Sequence, residues 1–148
     1  MTARDNITGH YGGDGEIARR IDEQLRLSGL TDDHTLSPSD LAALDQFHVG
    51  GLEATQQLAR LFSPSQGSYV LDVGSGLGGP SRYLAANYGC RVIGIDITEE
   101  YCRVASALGA RMGGGRSSGI PSRRCPRVAL SRWNIRWCVD PACVDEHC

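Results

Sequence analysis

The feature that most constrains this chain is the segment VLDVGSGLGGPSRYLA, which occupies residues 70–85. A short apolar run leads into it, four of the six residues from Gly74 to Gly79 are glycine, and a helix-like pattern follows. A strand that ends in such a turn and starts a helix presents bare backbone N–H groups and the positive end of the helix dipole to a ligand. We therefore predict a ligand-binding loop at this turn.

The patterns on either side of the loop predict a βαβα unit. YVLDV at 69–73 is typical of a short buried strand, and a helix is expected over 80–88. A second strand over 90–96 and a second helix over 98–112, capped by Thr98, follow. Alternating strands and helices indicate an α/β fold with a Rossmann-like, doubly wound parallel sheet. Because only two strands are visible, we expect this fold to be incomplete.

Residues 1–66 are predicted to be a helical N-terminal cap segment. An amphipathic pattern indicates a helix over 15–28. Ser37 and the following Pro38 mark the start of a second helix, which should extend to about residue 47. A third helix is expected over 52–62. The side chains predicted to be buried on that third helix are Leu58, Leu61 and Phe62.

Length and composition exclude several classes of protein. The chain has 148 residues, the size of one domain, and 41% of them are hydrophobic, which is enough for a core. A net charge of −2 gives no reason to expect a nucleic-acid partner. No run approaches the length needed to span a membrane, and the polar N-terminus has no apolar signal-peptide core. We therefore expect a cytoplasmic protein.

The glycine spacing alone leaves the ligand open. Gly74, Gly76 and Gly79 fit the G-x-G-x-x-G pattern of dinucleotide sites, whereas Gly74, Gly76 and Gly78 fit G-x-G-x-G. Asp72 favours the second interpretation, because a carboxylate just before the loop would repel a pyrophosphate. It suits a ligand with a positive group at that point, such as S-adenosylmethionine, which has an ammonium and a sulfonium centre.

A second carboxylate, Asp96, closes the second predicted strand in VIGIDIT, about twenty residues beyond the glycines. At this position it can accept hydrogen bonds from both hydroxyls of a ribose. Since nicotinamide dinucleotides and S-adenosylmethionine both contain a ribose, Asp96 agrees with either ligand. An NAD(P)-binding oxidoreductase fragment therefore remains the alternative at this point.

Taken together, VLDVGSGLGGPSRYLA and CRVIGIDITEEYCRVA resemble the first two motifs of class I S-adenosylmethionine-dependent methyltransferases. The resemblance is to the small-molecule branch of sarcosine and dimethylglycine N-methyltransferases and quinone C-methyltransferases. DQFHVGGLEATQQLARL at 45–61 resembles the helical segment of the same branch. The similarity covers about residues 5–112.

The resemblance implies S-adenosyl-L-methionine as the cofactor and assigns roles to individual residues. Asp96 would bind the ribose, Ile97 would pack on the adenine, and Gln46 and His48 would lie near the cofactor. The loop residues that would hold the methionine end are Asp72, Gly74, Ser75, Gly76 and Gly78.

The function implied is methyl transfer to a small molecule, with in-line displacement at the sulfonium methyl by a nucleophilic N, O or C. Positioning of the two reactants would supply most of the catalysis. No residue is predicted to be a catalytic base, and His10, His34 and Cys102 are interpreted as surface or core residues. The oligomeric state is not predicted. Because the later strands of such a domain are missing, a non-catalytic cofactor-binding fragment is a second alternative.

Residues 113–148 differ in kind from residues 67–112, which form the predicted binding unit. They hold four of the six cysteines and show no sustained helical or strand periodicity. The four cysteines lack the C-x₂-C pairing of zinc sites, and a disulfide framework conflicts with a cytoplasmic location. We predict no metal site there. These cysteines are Cys125, Cys138, Cys143 and Cys148.

A frameshift explains this segment better. A back-translation of residues 113–148 that is read one nucleotide later gives acidic, aromatic and apolar stretches that resemble the next motifs of the family, in the right order. We therefore interpret residues 113–148 as a tail that a one-nucleotide slip near codon 113 put in place of the native continuation. Such a tail is expected to be disordered or poorly packed.

Overall fold

A computed structural model describes residues 15–31, 34–46 and 48–112, together with the backbone of residues 135–138. Helices and strands lie close to where the sequence predicts them, with ends that differ by one or two residues. The helices are α1 (Glu16–Leu27), α2 (Pro38–Asp45), α3 (Gly51–Phe62), α4 (Gly79–Tyr88) and α5 (Glu99–Arg111), and the strands are β1 (Tyr69–Val73), β2 (Arg91–Ile95) and β3 (Ile135–Cys138).

The three strands form one parallel sheet in the order β1-β2-β3. Val70 of β1 lies beside Val92 of β2, and Gly94 of β2 lies beside Trp137 of β3. The α/β Rossmann-like fold is thereby confirmed. Strand β3 was not predicted, because the sequence around it has no strand-like periodicity. The rest of the predicted tail lies outside the described residues.

The helix starts follow from local chemistry. Ser37 and Asp40 form a capping box, in which the Ser37 side chain accepts from the Asp40 N–H and the Asp40 carboxylate accepts from the Ser37 N–H. Thr98 occupies the N-cap position of α5, but its side chain makes no capping hydrogen bond. The Thr98 N–H instead donates to Asp96 Oδ1 at 2.8 Å. The predicted side-chain cap by Thr98 is therefore wrong, and Asp96 fixes this turn.

The N-terminal helices and the βαβα unit share one hydrophobic core. Leu25 of α1 and Leu41 of α2 are buried in the same cluster as Leu77 of the glycine loop and Leu108 of α5. Each fully buried leucine of this kind contributes roughly 1.5–3 kcal/mol. A second cluster lies between the sheet and helices α4 and α5. Its buried members are Ala85, Cys90, Val92, Cys102 and Ala105.

A hydrogen bond also joins helix α1 to the first turn of α5. Glu100, in the first turn of α5, accepts from the backbone N–H of Ile17 at 2.9 Å through its Oε1 atom. The first N–H groups of a helix have no partner within the helix, and the buried Glu100 side chain accepts from one of them at the start of α1. The hydrophobic core is therefore continuous across the predicted boundary at residue 66.

Helix α3 departs from its predicted burial. Leu58, Leu61 and Phe62 are 67%, 84% and 56% exposed, so the prediction that they are buried is wrong. Thr55 and Ala59 are the buried residues of this helix. Helix α3 packs against α2 and α4, whereas its Leu58 and Phe62 line an open cavity beside β1 and α4.

Among the described residues, no helix is both long and apolar enough to cross a membrane. Cys102 is buried and His34 is exposed, as expected for a core and a surface residue. His10 lies outside the described residues, as do Cys125, Cys143 and Cys148, and nothing beyond the backbone is described for Cys138.

Candidate functional site

The glycine loop contains backbone conformations that residues other than glycine rarely adopt. Gly74, Gly76 and Gly78 have φ angles of 75°, 53° and 79°, in the left-handed region that glycine adopts without steric cost. The N–H groups of Gly74 and Ser75 donate to the carbonyl of Ile95 at 2.8 and 3.0 Å. The loop is thus attached to the carboxyl end of β2, where ligands bind in open parallel sheets. The N–H groups of Gly76 and Gly78 are also bonded within the protein, so the prediction that the loop presents bare N–H groups to a ligand is wrong at these positions.

Asp96 follows β2 and fixes the loop from the side. Its Oδ2 accepts from the Gly76 N–H at 2.8 Å, and its Oδ1 accepts from the Thr98 N–H at 2.8 Å. Each carboxylate oxygen has a second lone pair, so both oxygens can accept a further hydrogen bond from a ligand. The structure therefore brings Asp96 and Gly76 together, and the expected role of Asp96 toward a ribose is compatible with its contacts.

Asp72 lies on β1 directly before the loop. Burial raises the pKa of its carboxyl and the nearby Asp96 charge raises it further, while a hydrogen bond from Ser81 and the charge of His48 lower it. Ser81 Oγ donates to Asp72 Oδ2 at 2.6 Å. A carboxylate directly before the loop makes the site favourable for a cationic group and unfavourable for a pyrophosphate.

Ser75 places an unused polar atom in the loop. The residue is 6% exposed, and among the described residues its hydroxyl has no hydrogen-bond partner. Buried hydroxyls are normally satisfied, since leaving one unpaired costs about 1–3 kcal/mol. A polar ligand group at the loop would supply the missing partner.

Gln46 and His48 form a hydrogen-bonded cluster with Thr55. His48 Nε2 lies 3.0 Å from both Gln46 Oε1 and Thr55 Oγ1, and Thr55 Oγ1 donates to Gln46 Oε1 at 2.7 Å. Sequence reasoning missed Thr55. The signal for it was available, because Thr55 is a polar residue one turn into α3, directly after the segment that carries Gln46 and His48.

A cavity of about 460 Å³ lies beside this cluster. His48, Thr55 and Asp72 supply its polar wall, and the remaining wall is apolar. Ile97 and the loop glycines do not line this cavity, and Ile97 is 43% exposed at the other side of Asp96. The apolar lining consists of Ala54, Leu58, Ala59, Phe62, Val70, Leu71, Pro80 and Leu84.

The loop packs tightly against the end of α2. A Cβ atom placed on Gly79 would lie 2.7 Å from the Asp45 carbonyl oxygen and 2.7 Å from Gln46 Nε2. Only glycine therefore allows this approach. The fourth glycine of the loop serves packing between α2 and α4, which brings Gln46 next to the loop.

A buried ion pair lies under the same junction. Arg82 Nη2 is 2.8 Å from Asp45 Oδ2, and both side chains are almost fully buried. Burial raises the pKa of Asp45 and lowers that of Arg82, while the attraction between them opposes both shifts. Neither residue was singled out by sequence reasoning, since a charged residue inside a helical pattern is ordinarily solvated.

Within residues 15–31, 34–46 and 48–112, no group of three or more His, Cys, Asp or Glu side chains is arranged to hold a metal ion. Cys90 and Cys102 are buried in the core, and the Cys102 thiol lies 3.9 Å from the carbonyl oxygen of Asp96.

Comparison with known proteins identifies the segment that contains the loop. Residues 70–117 match the model of a family described as "Methyltransferase domain". A phosphoethanolamine N-methyltransferase of Triticum aestivum is 45% identical over 50 residues, which are 34% of this chain and 10% of that protein. A sarcosine/dimethylglycine N-methyltransferase of Halorhodospira halochloris is 46% identical over 48 residues, which are 32% of this chain and 16% of that protein. The chain thus spans well under a quarter of either relative.

The fold has a counterpart among solved structures. A SAM-dependent methyltransferase from Thiobacillus denitrificans, in complex with S-adenosyl-L-homocysteine, superposes with a TM-score of 0.50 at 19% identity. The superposition covers 69% of this chain and 34% of that one. Residues 70–117 are thus similar to methyltransferase domains, and the described part of the chain shares its fold with this methyltransferase.

Proposed function

We propose that the described residues bind S-adenosyl-L-methionine and that the whole protein transfers its methyl group to a small molecule. The observation that carries the proposal is the loop of Gly74, Gly76 and Gly78, held open by positive φ angles and flanked by two carboxylates. This arrangement fits an adenosyl ligand that has a cationic amino-acid end. It disfavours NAD(P), whose pyrophosphate would face Asp72.

The residues of the site fit the cofactor in chemical type. Asp72 and the unpaired hydroxyl of Ser75 offer partners for the methionine end, and the two oxygens of Asp96 offer acceptors for ribose hydroxyls. Ile97, exposed next to Asp96, offers an apolar surface to the adenine. The cofactor supplies an activated methyl group on its sulfonium, and the chain supplies binding and orientation.

We place the methyl acceptor near the cavity between α3 and β1. Its mostly apolar wall and its few polar groups are typical of small-molecule sites. The named relatives act on phosphoethanolamine and on sarcosine or dimethylglycine, and we propose an acceptor of comparable size for the whole protein. We propose that His48, which Gln46 and Thr55 hold by hydrogen bonds, helps to position the acceptor in this cavity. A cytoplasmic location remains part of this proposal.

Calorimetric titration of the chain with S-adenosylhomocysteine tests the cofactor assignment. We expect binding that is tighter than that of NAD. Asp96→Ala should weaken binding about 5- to 100-fold, because ribose hydroxyls lose a charged acceptor. Glu99→Ala, an exposed residue three positions later, is the matched control and should leave the affinity unchanged. Tighter binding of NAD, or equal affinity in Asp96→Ala, would contradict the assignment.

We further propose that residues 113–148 replace a native continuation of the domain. The family match ends at residue 117, shortly after the predicted break near Met112. Sequencing the coding DNA across codons 105–120 and downstream tests this. A surplus or missing nucleotide, followed by an open shifted frame, supports the proposal. If the reading frame is as written and the frame shifted by one nucleotide soon reaches a stop codon, the proposal is refuted. Strand β3 would then be native.

A further inference from the structure

The buried pair Asp45–Arg82 joins the elements that carry the candidate cofactor residues. Arg82 Nη2 donates to Asp45 Oδ2 at the end of α2 and to the carbonyl of Leu77 inside the glycine loop. Arg82 Nη1 donates to the carbonyl of Ala105 in α5 at 3.2 Å. One guanidinium thereby connects the N-terminal helical segment, the loop and the helix that follows Asp96.

The position of Asp45 in the chain extends this connection to the Gln46 cluster. Asp45 directly precedes Gln46, whose side chain holds His48 and Thr55. The same end of α2 lies against Gly79 so closely that a methyl group would collide with it. A displacement of Asp45 would therefore move Gln46 relative to the loop.

Stability alone does not explain a buried ion pair. Removing two charges from water is expensive, and replacing such a pair with apolar residues of similar volume is often neutral or stabilising. Apolar residues would leave the Leu77 carbonyl without the donor that Arg82 supplies. The carbonyl belongs to the glycine loop itself, so the pair acts on the loop directly.

We infer that Asp45 and Arg82 are positioning residues. They fix the position of the Gln46–His48–Thr55 cluster relative to the glycine loop, so that both contribute to one cofactor site. The inference rests on the proposed function, since it concerns the same site. In this arrangement the helical segment before residue 66 is part of the site. Removing the ion pair would make the loop more mobile, while the two hydrophobic clusters would maintain the fold.

Hydrogen exchange of the full chain without ligand, followed residue by residue, tests the inference together with S-adenosylhomocysteine affinity. The variants are Asp45→Asn and the double substitution Asp45→Leu/Arg82→Met, which keeps the site apolar and filled. Arg20→Met, which breaks the exposed Glu16–Arg20 pair, is the matched control. We expect exchange at residues 74–79 to rise about tenfold in both pair variants, with the double variant still folded and unfolding cooperatively.

Affinity for S-adenosylhomocysteine should fall about tenfold in the same variants and remain unchanged in Arg20→Met. Unchanged exchange at residues 74–79 would overturn the inference, and so would loss of the fold in the double variant, because the pair would then be needed for folding itself. If the wild-type chain binds no S-adenosylhomocysteine while exchange in the loop still rises, the cofactor assignment fails and the positioning role stands.

Discussion

The two faces of the sheet are built very differently. On one face, Val92 is fully buried beneath α4 and α5, and Val70 packs against the same cluster. On the other face, Tyr69, Leu71 and Val73 of β1 are 62%, 51% and 72% exposed. The register places Val70 beside Val92 and Val73 beside Ile95, so the difference follows the alternation of side chains along each strand.

Only one face of the sheet is covered by helices among the described residues. Parallel sheets are ordinarily covered by helices on both faces, and here α4 and α5 lie on the face of Val70, Asp72 and Val92. The glycine loop, Asp72 and Asp96 depend only on elements that are present. The acceptor cavity, in contrast, borders the exposed apolar side chains of α3 and β1. In the proposed site, the described elements therefore complete the side assigned to the cofactor, and the side assigned to the acceptor is open.

The largest expected difference between the faces comes from a buried charge. Val92→Asp should reduce the free energy of unfolding by about 3 kcal/mol or more, because an aspartate would be buried without a partner. Val73→Asp, on the exposed face, should cost about 1 kcal/mol or less, mainly through its poor strand propensity. Urea denaturation of both variants measures the contrast. Equal losses would mean that the face of Val73 is covered in solution.

A smaller effect is expected from one methyl group at the covered junction. In a helix, alanine is normally more favourable than glycine by about 1 kcal/mol. Gly79→Ala should nevertheless destabilise the protein by about 1–3 kcal/mol, because the new Cβ would collide with the Asp45 carbonyl oxygen. Ser39→Ala, in the exposed first turn of α2, is the control and should change stability by less than about 0.5 kcal/mol. A stabilising Gly79→Ala would show that the junction is loose.

Asp72 gives the covered face a distinctive dependence on pH. Its pKa in the folded protein is raised, first by burial, from the usual 3.8. A raised carboxyl pKa favours folding at low pH, and this contribution is lost as the pH rises through the folded-state pKa. Asp72→Asn should thus make the protein more stable than wild type near pH 7, with the advantage shrinking toward pH 4, and should weaken S-adenosylhomocysteine binding.

Urea denaturation of wild type and Asp72→Asn at several pH values checks this sign. Asp45 shifts in the same direction, and its contribution cancels when the two proteins are compared at each pH. A stability difference that does not change between pH 4 and 7 would mean that Asp72 is not desolvated. The covered face would then be more open to water around β1 than its burial indicates.

Sequence reasoning was most successful where the signal is local. The bounds of the strand Tyr69–Val73 and the N-cap at Ser37 were predicted, since both depend on near neighbours. The prediction that the strand is buried is wrong, because exposed and half-buried residues alternate along it. The glycine loop was likewise placed from its flanking strand and helix. The predicted contacts of its residues with a cofactor remain predictions.

The contacts between distant segments were not predictable in this way. Arg82 and Asp45 meet across 37 positions, and nothing in the neighbouring sequence of either residue indicates that it is buried. Thr55 joined the Gln46–His48 cluster only because α3 turns its small side chains inward. Strand β3 was missed because its four residues carry no period. Each of these features depends on tertiary packing, which periodicity does not report.

The smallest expected effect lies on the open side, where the burial prediction failed. Leu61 is 84% exposed on α3, so Leu61→Gln should change the free energy of unfolding by less than about 0.5 kcal/mol. Ala59→Gln, two residues earlier and 2% exposed, should cost about 1–3 kcal/mol because a longer polar side chain must enter the packed face. Urea denaturation of the pair decides which face of α3 is packed. A large loss in Leu61→Gln would mean that this apolar face is covered in solution, and the acceptor side of the domain would then be more complete than the described residues make it.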